Sequence, residues 1–319
     1  MAEAEALLLA RARGRRLLCA SVYVSCSGGE ALGACRAAVA AAGGGSRLAA
    51  LREFVDAAYG RTGLTLAVDL DAAAGGAEGS APLVAAIDGL AAAVGAHVDL
   101  RLHAASHPRL GALDHVLVSP LGAAALGEAA AAARGCAEAI AARGVPVAAY
   151  GALAEPVARL ADVRRALGYF RGAGAGAFSS GVDASLAAAH GDLLAYGPRA
   201  PHPALGVACV GAAPFVVNYN VPLATGDLGL ARRCARAVSE RGGGLNAVEA
   251  AGLPHGEGGV EVACNLLDFD GATDDEAVQR AVEAHVRERR PEVAVGRGYR
   301  TNFTPSEAAL QASMALGGG

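Results

Sequence analysis

The chain has 319 residues, 53% of them hydrophobic and 18% charged, which excludes a disordered polypeptide and allows a large core in about two units. The formal net charge is −4, Lys is absent and aromatic residues make up 4%, so we expect no nucleic-acid partner. No uninterrupted apolar run reaches the roughly 18 residues that cross a bilayer, so we expect no membrane partner either.

Hydrophobic spacing predicts an ordered series of elements in the first third of the chain. They are a strand at 17–25, a helix at 30–42, strands at 48–55 and 64–70, a helix opened by Pro82 and ending near residue 94, and a strand at 98–102. The last strand is expected to deliver a loop beginning at Ser106. This order is that of the split βαβ, ferredoxin-like unit.

A second series with a similar order occupies the rest of the chain. Before this second series the sequence predicts a strand at 116–119, a helix at 121–142, a strand at 145–150, a helix at 157–167 and a Gly/Ala/Ser-rich connection at 171–195. The second series itself comprises a strand at 215–221, a helix at 227–240, strands at 245–250 and 260–267, a helix at 274–288, a short strand at 293–295 and a helix at 305–314. We therefore predict an α+β protein of two ferredoxin-like subdomains, at 1–196 and 214–319, with a connecting loop at 197–213 and a ligand cleft between them.

The segment from Ser106 to Val118 is chemically the richest in the chain, because two His, an Arg and an Asp lie within ten positions. His107 precedes a proline, which favours an extended or turn conformation. An imidazole on such a loop beside a strand is suited to proton transfer near neutral pH, so His107 is a candidate general base. An ordinary hydrogen-bonded loop histidine remains the alternative.

The neighbours of His107 leave their roles open. Arg109 is equally suited to anchoring a substrate carboxylate in a bidentate contact and to pairing with Asp114. Asp114 is suited to orienting an imidazole or to capping the edge of a strand. His103 and His115 are weaker candidates for direct chemistry, and the strand period favours packing or solvent exposure for His115.

Two further groups stand out by composition. The loop 197–206 carries three prolines, which predicts a stiff, extended segment; on composition alone a linker is an equal alternative. Asn218, Asn220 and Asn265 lie in otherwise apolar strands, where a buried amide needs partners, so either a ligand or a structural hydrogen bond is expected.

Metal and secretion signals are missing from the sequence. Seven dispersed Cys without Cys-x-x-Cys spacing predict free thiols in a reducing compartment, and no metal-ligand spacing is present. The Gly runs at 43–45 and 242–244 follow helices, so they are helix stops and not phosphate-binding loops. Near the N-terminus basic residues follow the apolar ones, which reverses the order of a signal peptide; we expect a cytoplasmic protein, with an organellar transit peptide left open.

Four ordered stretches resemble the formimidoyltransferase domain of formimidoyltransferase-cyclodeaminase. Residues 107–114, His-Pro-Arg-Leu-Gly-Ala-Leu-Asp, resemble its His-Pro-Arg signature. Residues 147–151 resemble a strand ending in Tyr-Gly, residues 215–221 a strand with paired Asn, and residues 262–269 its Asn-Leu-Leu-Asp-Phe strand. The end of the chain lies near the end of that domain, so we expect a stand-alone formiminotransferase-like protein without the cyclodeaminase half.

The resemblance implies a folate-dependent transferase of one-carbon metabolism and histidine degradation, acting as a homodimer. It would move a formimidoyl group from N-formimino-L-glutamate to N5 of the co-substrate tetrahydrofolate, with His107 at the family's catalytic base position. The resemblance implies folate contact by the loop that corresponds to Gly197, Pro198, Arg199, Ala200, Pro201, His202, Pro203, Ala204, Leu205 and Gly206.

The same resemblance implies substrate contact near Asp56 and Arg61, with Gly60 standing where the family usually has Asn. Together with Arg109 and the three Asn residues above, these are the candidate substrate-binding residues. Gly60, the altered interior of the Pro-rich loop and the Ala/Gly-rich connection favour an alternative: a catalytically inactive folate- or partner-binding protein on the same fold. Retention of His107 and Arg109 favours the enzyme.

Overall fold

The computed structural model describes residues 9–43, 47–72, 77–169, 173–174, 177–179 and 190–317. It divides into two compact units, Met1–Ala213 with Ala308–Gly319, and Pro214–Glu307. The C-terminal segment from Ala308, predicted within the second subdomain, therefore groups with the first unit, and so does the whole connecting loop at 197–213.

The described part of the first unit begins with a helical segment at 9–14, which is followed by ten strands and four helices; residues from Ala308 on, in the last helix of the chain, also belong to this unit. In chain order they are β1 (Arg16–Val24), α1 (Gly29–Ala42), β2 (Leu48–Asp56), β3 (Arg61–Asp69), α2 (Ala77–His97), β4 (Ala104–Ala105), β5 (Leu113–Gly122), α3 (Leu126–Ala142), β6 (Val147–Gly151), α4 (Leu160–Ala166), β7 (Ala173–Gly174), β8 (Ala177–Ser179), β9 (Leu194–Tyr196) and β10 (Ala208–Ala212). Short 3₁₀ turns occupy Leu70–Ala72 and Gly191–Leu193.

The main sheet has the strand order β2-β3-β1-β5-β10-β6-β9. Its first four strands are antiparallel and have the order of a ferredoxin-like unit. β10 then lies parallel to both β5 and β6, so that α3 forms a crossover between parallel strands. One face of the sheet packs into a core with the helices, in which Leu18 and Leu66 of the strands join Leu83, Ile87 and Leu90 of α2.

The predicted strand at 98–102 is wrong, and its place in the unit is taken by β5. Asp99 Oδ1 accepts a hydrogen bond from the Arg101 amide, 3.0 Å away, and this local turn replaces a strand ladder. Leu102 is 87% exposed and has no sheet to pack against. The predicted series therefore contained one strand too many, and the sixth element of the unit is β5, which was predicted separately as a strand at 116–119.

Two helix starts differ from the prediction, and one strand of the main sheet was missed. α2 starts at Ala77, so Pro82 lies inside the helix and does not open it. The helix predicted to start at residue 121 starts at Leu126, because residues 121 and 122 complete β5. β10 was not predicted, since Ala-Cys-Val-Gly-Ala contains a single β-branched residue and so carries little strand signal.

The long helix α2 is apolar enough to raise a membrane question. Its segment Glu78–His97 has the length and hydropathy of a membrane span. Its Leu83, Ile87, Leu90 and Val94 side chains are nevertheless buried among the strands and helices of the first unit. The helix thus packs as the core helix of this unit.

The second unit repeats the ferredoxin-like order. Its elements are β11 (Val217–Leu223), α5 (Leu228–Val238), a 3₁₀ turn (Glu240–Gly242), β12 (Val248–His255), β13 (Gly259–Leu266), α6 (Asp275–Arg289) and β14 (Tyr299–Arg300), followed by α7 (Pro305–Leu316). The sheet order is β12-β13-β11-β14, with antiparallel pairs throughout. The fourth strand is β14; the predicted strand at 293–295 is only an isolated bridge between Val295 and Leu223.

Both helices of the second unit begin at an aspartate. Asp227 and Asp274 each accept a hydrogen bond from the amide three residues later, which satisfies an unpaired donor of the first turn. The predicted fold class, α+β with two ferredoxin-like subdomains, is confirmed. The cleft between them stays a prediction, and most of the predicted connection at 171–195 lies outside the described residues.

Candidate functional site

The loop that follows β4 is fastened to the β2–β3 turn by Arg109. This guanidinium, 4% exposed, donates to the carbonyl oxygens of Tyr59 (2.6 Å), His107 (3.0 Å) and Gly60 (3.2 Å). Burial, reinforced by the nearby Arg61, lowers its pKa to about 10. The predicted pairing of Arg109 with Asp114 is not formed, and three of its hydrogen bonds go to backbone carbonyls of the protein, so its contacts position the loop.

Gly60 is required by the conformation of that turn. Its φ of +56° lies in the left-handed region, and a Cβ there would sit 3.1 Å from Cε1 of His103. Asn is among the few other residues that adopt this region readily. Gly60, where Asn is usual in the family, therefore suits the backbone conformation of the turn.

His107 contacts its own loop on one side and Arg61 on the other. Nδ1 lies 2.7 Å from the carbonyl oxygen of Pro108, which can only accept a hydrogen bond, so this contact favours a proton on Nδ1 and a lone pair on Nε2. Arg61 Nη1 lies 3.0 Å from Nδ1 and 3.3 Å from Nε2, and the edge of the ring meets Tyr59 at a centroid distance of 4.9 Å. Burial, followed by the charge of Arg61, holds the pKa of His107 well below its usual value, so the ring is neutral at pH 7.

Asp114 is the fully buried anion at the centre of the cluster. Oδ2 accepts from Arg61 Nη2 (2.9 Å) and Arg164 Nη2 (3.1 Å), while Oδ1 accepts from the amides of Leu110 (2.7 Å) and Gly111 (3.2 Å). Burial opposes its ionisation, but the two guanidiniums and the Leu110 amide outweigh burial and hold the pKa of Asp114 below its ordinary value. Asp114 is thus an ionised carboxylate that ties the loop to both arginines.

The other histidines of the region are engaged by packing and hydrogen bonds. His115 Nε2 lies 2.6 Å from the Tyr150 hydroxyl, and its ring stacks on Tyr23, the residue opposite it on β1. Burial lowers the pKa of His115 well below its usual value. His103 Nε2 lies 3.0 Å from Arg109 Nη1, and burial followed by that charge lowers its pKa.

Asp56 belongs to the turn that carries Arg61. Its Oδ1 accepts from the Tyr59 amide at 2.9 Å, and its backbone pairs with that of Arg61 at the end of the β2–β3 hairpin. The side chain is buried. This contact gives Asp56 a structural role in shaping the turn.

The Pro-rich loop is compact where an extended segment was expected. His202 and Gly206 exchange backbone hydrogen bonds, and His202 Nδ1 accepts from the amides of Ala204 and Leu205. A Cβ at Gly206 would lie 1.9 Å from the Leu110 carbonyl oxygen, so only glycine permits this approach. The end of the loop is therefore bonded to the His107 loop, which joins two motifs distant in sequence.

The three candidate asparagines lie in the second unit and bond within its sheet. Asn218 Nδ2 donates to Asn265 Oδ1 at 2.7 Å, and Asn220 Nδ2 donates to Glu261 Oε1 at 2.6 Å. Tyr299 also donates to Glu261, at 2.8 Å. These contacts correspond to the structural alternative for the asparagines.

Arg164 is the residue of the cluster that the sequence interpretation missed. It was read only as a polar position of the helix at 157–167, like Arg165, although its side chain is 11% exposed against 40% for Arg165. The burial of Arg164 could have been deduced from helical spacing. Arg164 lies one residue after buried Val163 and three residues before buried Leu167, which places it beside the apolar stripe of the helix. Arg165 lies farther round and pairs with exposed Asp162.

Among the residues that the structure describes, no group of three or more His, Cys, Asp or Glu is placed to hold a metal ion. The cluster around His107 contains three guanidiniums, one carboxylate and an imidazole, a set of groups that can bind negative charge and transfer a proton.

Comparison with known proteins agrees with the motif and the fold. Residues 17–213, more than half of the chain, match the family described as "Formiminotransferase domain, N-terminal subdomain". A "Formiminotransferase cyclodeaminase-like protein" of Arabidopsis thaliana is 41% identical over 212 residues, which cover 66% of this chain and 69% of that protein. The chain belongs to the formiminotransferase domain family.

Proposed function

We propose that the chain transfers a formimidoyl group from N-formimino-L-glutamate to N5 of tetrahydrofolate, with His107 as the general base. The observation that carries this proposal is the 2.7 Å contact between His107 Nδ1 and the Pro108 carbonyl oxygen, which favours a proton on Nδ1 and a lone pair on Nε2. A depressed pKa keeps that nitrogen unprotonated at neutral pH. Membership of a transferase family supports the class of reaction.

The proposed reaction requires one proton to move. N5 of tetrahydrofolate attacks the amidine carbon and forms the new N–C bond, while Nε2 of His107 takes the proton from N5. The bond from that carbon to the glutamate nitrogen then breaks, and the same imidazole returns the proton to the leaving amine. Arg61, whose Nη1 lies 3.3 Å from Nε2, has to give up that contact for the base to act.

The remaining site assignments are parts of the same proposal. Folate is proposed to contact the loop 197–206, whose end is bonded to the His107 loop through Leu110 and Ala112. Arg109 and Asp56 are proposed to shape the site and not to contact substrate, because their side chains bond to the turn and loop. A homodimer and a cytoplasmic location are also proposed.

A second candidate is a folate- or partner-binding protein without turnover. The observation that favours it is that Arg61 Nη1 lies 3.0 Å from Nδ1 and 3.3 Å from Nε2 of His107, because a guanidinium donor there competes for the lone pair that the base needs.

A turnover assay separates the two candidates. Wild type and His107→Ala are compared with tetrahydrofolate and N-formimino-L-glutamate, with the exposed His97→Ala as the matched control. Loss of a general base lowers kcat by about 10²- to 10⁴-fold, so we expect that loss in His107→Ala and none in His97→Ala. Folate binding without turnover in wild type would establish the second candidate.

A further inference from the structure

We infer that Arg164 and Arg61 form a binding site for a ligand carboxylate beside His107. The inference rests on the proposed function for the identity of the ligand, which is a glutamate moiety. It adds Arg164, which neither the motif nor the family resemblance identified.

The first support is an imbalance of buried charge. Arg61, Arg109 and Arg164 are all at least largely buried, and Asp114 is the carboxylate that pairs with two of them. No other carboxylate of the described residues forms an ion pair with any of the three. Buried charge without a counter-ion is costly, so a cluster with excess guanidinium favours the entry of an anion.

The second support is a pair of unused donors. Within the described part of the chain, Arg61 Nε and Arg164 Nε are buried and lack a hydrogen-bond partner. In each case the neighbouring Nη2 donates to Asp114 Oδ2, so both guanidiniums converge on one oxygen. Unpaired buried donors are rare in proteins and indicate a site for a missing acceptor.

The third support is that both guanidiniums are already fixed in place. The Cζ atom of Arg61 lies 4.3 Å from the centroid of the Tyr23 ring, and that of Arg164 lies 4.5 Å from the centroid of Tyr169. Each guanidinium also forms an ion pair with Asp114. Binding therefore requires little reordering of these side chains, which favours affinity for a planar carboxylate.

The fourth support is the distance to the base. Arg61 Nη2 donates to Asp114, and Arg61 Nη1 lies 3.0 Å from His107 Nδ1 and 3.3 Å from Nε2. A ligand carboxylate that accepts a hydrogen bond from Arg61 Nη1 competes with the imidazole for that donor, so Nε2 becomes free for proton transfer while the guanidinium stays in place. The site thus offers both an anchor for the ligand and a means of freeing the base.

Two sources supply the glutamate carboxylate in the proposed reaction: the formimidoyl donor and the glutamate tail of tetrahydrofolate. Calorimetric titration of the full chain distinguishes them. The donor arm compares N-formyl-L-glutamate, in the absence of folate, with its neutral diamide. The folate arm compares tetrahydrofolate with tetrahydropteroate, which lacks the tail.

Each arm is measured for wild type, Arg164→Gln and Arg164→Lys, with Arg165→Gln as the matched control from the exposed face of the same helix. Loss of a charge-assisted bidentate contact weakens binding at least about tenfold, so we expect that change in Arg164→Gln. We expect a smaller loss in Arg164→Lys, which keeps the charge without the planar fork, and none in Arg165→Gln. Thermal melts establish that each variant is folded.

If Arg164→Gln weakens binding of the carboxylate ligand and not of its neutral counterpart in one arm, that arm identifies which molecule supplies the carboxylate. This result in either arm supports the site. If wild type binds the charged and the neutral ligand of both arms with equal affinity, the proposed site is overturned without the use of any variant. It is also overturned if folded Arg164→Gln binds the carboxylate ligands with the same affinity as wild type. Absence of turnover with carboxylate binding intact contradicts only the proposed function. Normal turnover with an unchanged KM in Arg164→Gln contradicts only this inference.

Discussion

In the described part of each unit one carboxylate is fully buried, and the two are stabilised in different ways. Asp114 in the first unit is bound by two guanidiniums and two backbone amides. Glu261 in the second accepts hydrogen bonds from the Asn220 amide and the Tyr299 hydroxyl, with His255 Nδ1 3.7 Å away. Both carboxylates are buried from solvent, with residue exposures of 0%.

The difference separates a centre suited to ligand binding from one suited to holding a sheet together. Around Asp114 the cations outnumber the anion and two arginine donors are unpaired. Around Glu261 the donors are neutral side chains of β11 and β14, which join three strands through one carboxylate on β13. A buried polar group marks a ligand site when its charges are not balanced within the protein.

Removing the carboxylate of the first centre has the largest expected effect. Asp114→Ala leaves Arg61 and Arg164 buried against each other, and breaking a buried pair in this way costs about 3–5 kcal/mol of unfolding free energy. Urea denaturation measures this loss. Asp162→Ala, which removes the exposed partner of Arg165, is the control and should cost less than about 1 kcal/mol. Equal losses in the two variants would contradict a tightly bound centre.

The sequence was sufficient for the fold because its element order is marked by strong local signals. Helix α1 ends at Gly43, where a glycine run begins, and helix α6 starts at the capping residue Asp274. The failures occurred where local signals were weak or competing. An Asx turn at Asp99 displaced a strand, and the small residues of β10 concealed a strand in the middle of the sheet.

The site was predictable only in part. The His-Pro-Arg motif identified His107, and the resemblance drew attention to Arg61. The role of Arg109 could not be deduced, because its carbonyl partners are brought together only by the β2–β3 turn. Arg164 lies fifty residues from Asp114 in sequence, so its pairing exists only after α4 has packed against the sheet.

The second centre is tested by Asn220→Ala. The substitution removes a donor from buried Glu261, and an unsatisfied buried group costs about 1–3 kcal/mol. We expect that loss in urea denaturation, with the affinity for N-formyl-L-glutamate unchanged. A tenfold loss of affinity with little change in stability would instead make Asn220 a ligand contact, and the two centres would then share a function.

The histidines of the first centre give a dependence of stability on pH, which is absent above about pH 6.5 and develops only as the pH falls. Burial depresses the pKa of His107 and His115, whereas in the unfolded chain a histidine titrates near about 6.5. Above that pH both states are neutral and nothing changes. As the pH falls from about 6.5 towards 5, the unfolded chain takes up protons that the folded chain does not, so stability decreases by up to about 1.4 kcal/mol per pH unit for each histidine.

His115→Phe isolates this contribution, because phenylalanine keeps an aromatic ring against Tyr23 and cannot be protonated. The slope of unfolding free energy against pH between 6.5 and 5 should decrease in this variant by up to about 1.4 kcal/mol per pH unit. His97→Gln, at the exposed end of α2, serves as the control. If His115→Phe keeps the wild-type slope, His115 must take up its proton in the folded protein. We do not expect this outcome, because the ring is enclosed by Tyr23 and Tyr150 and lies close to two arginines.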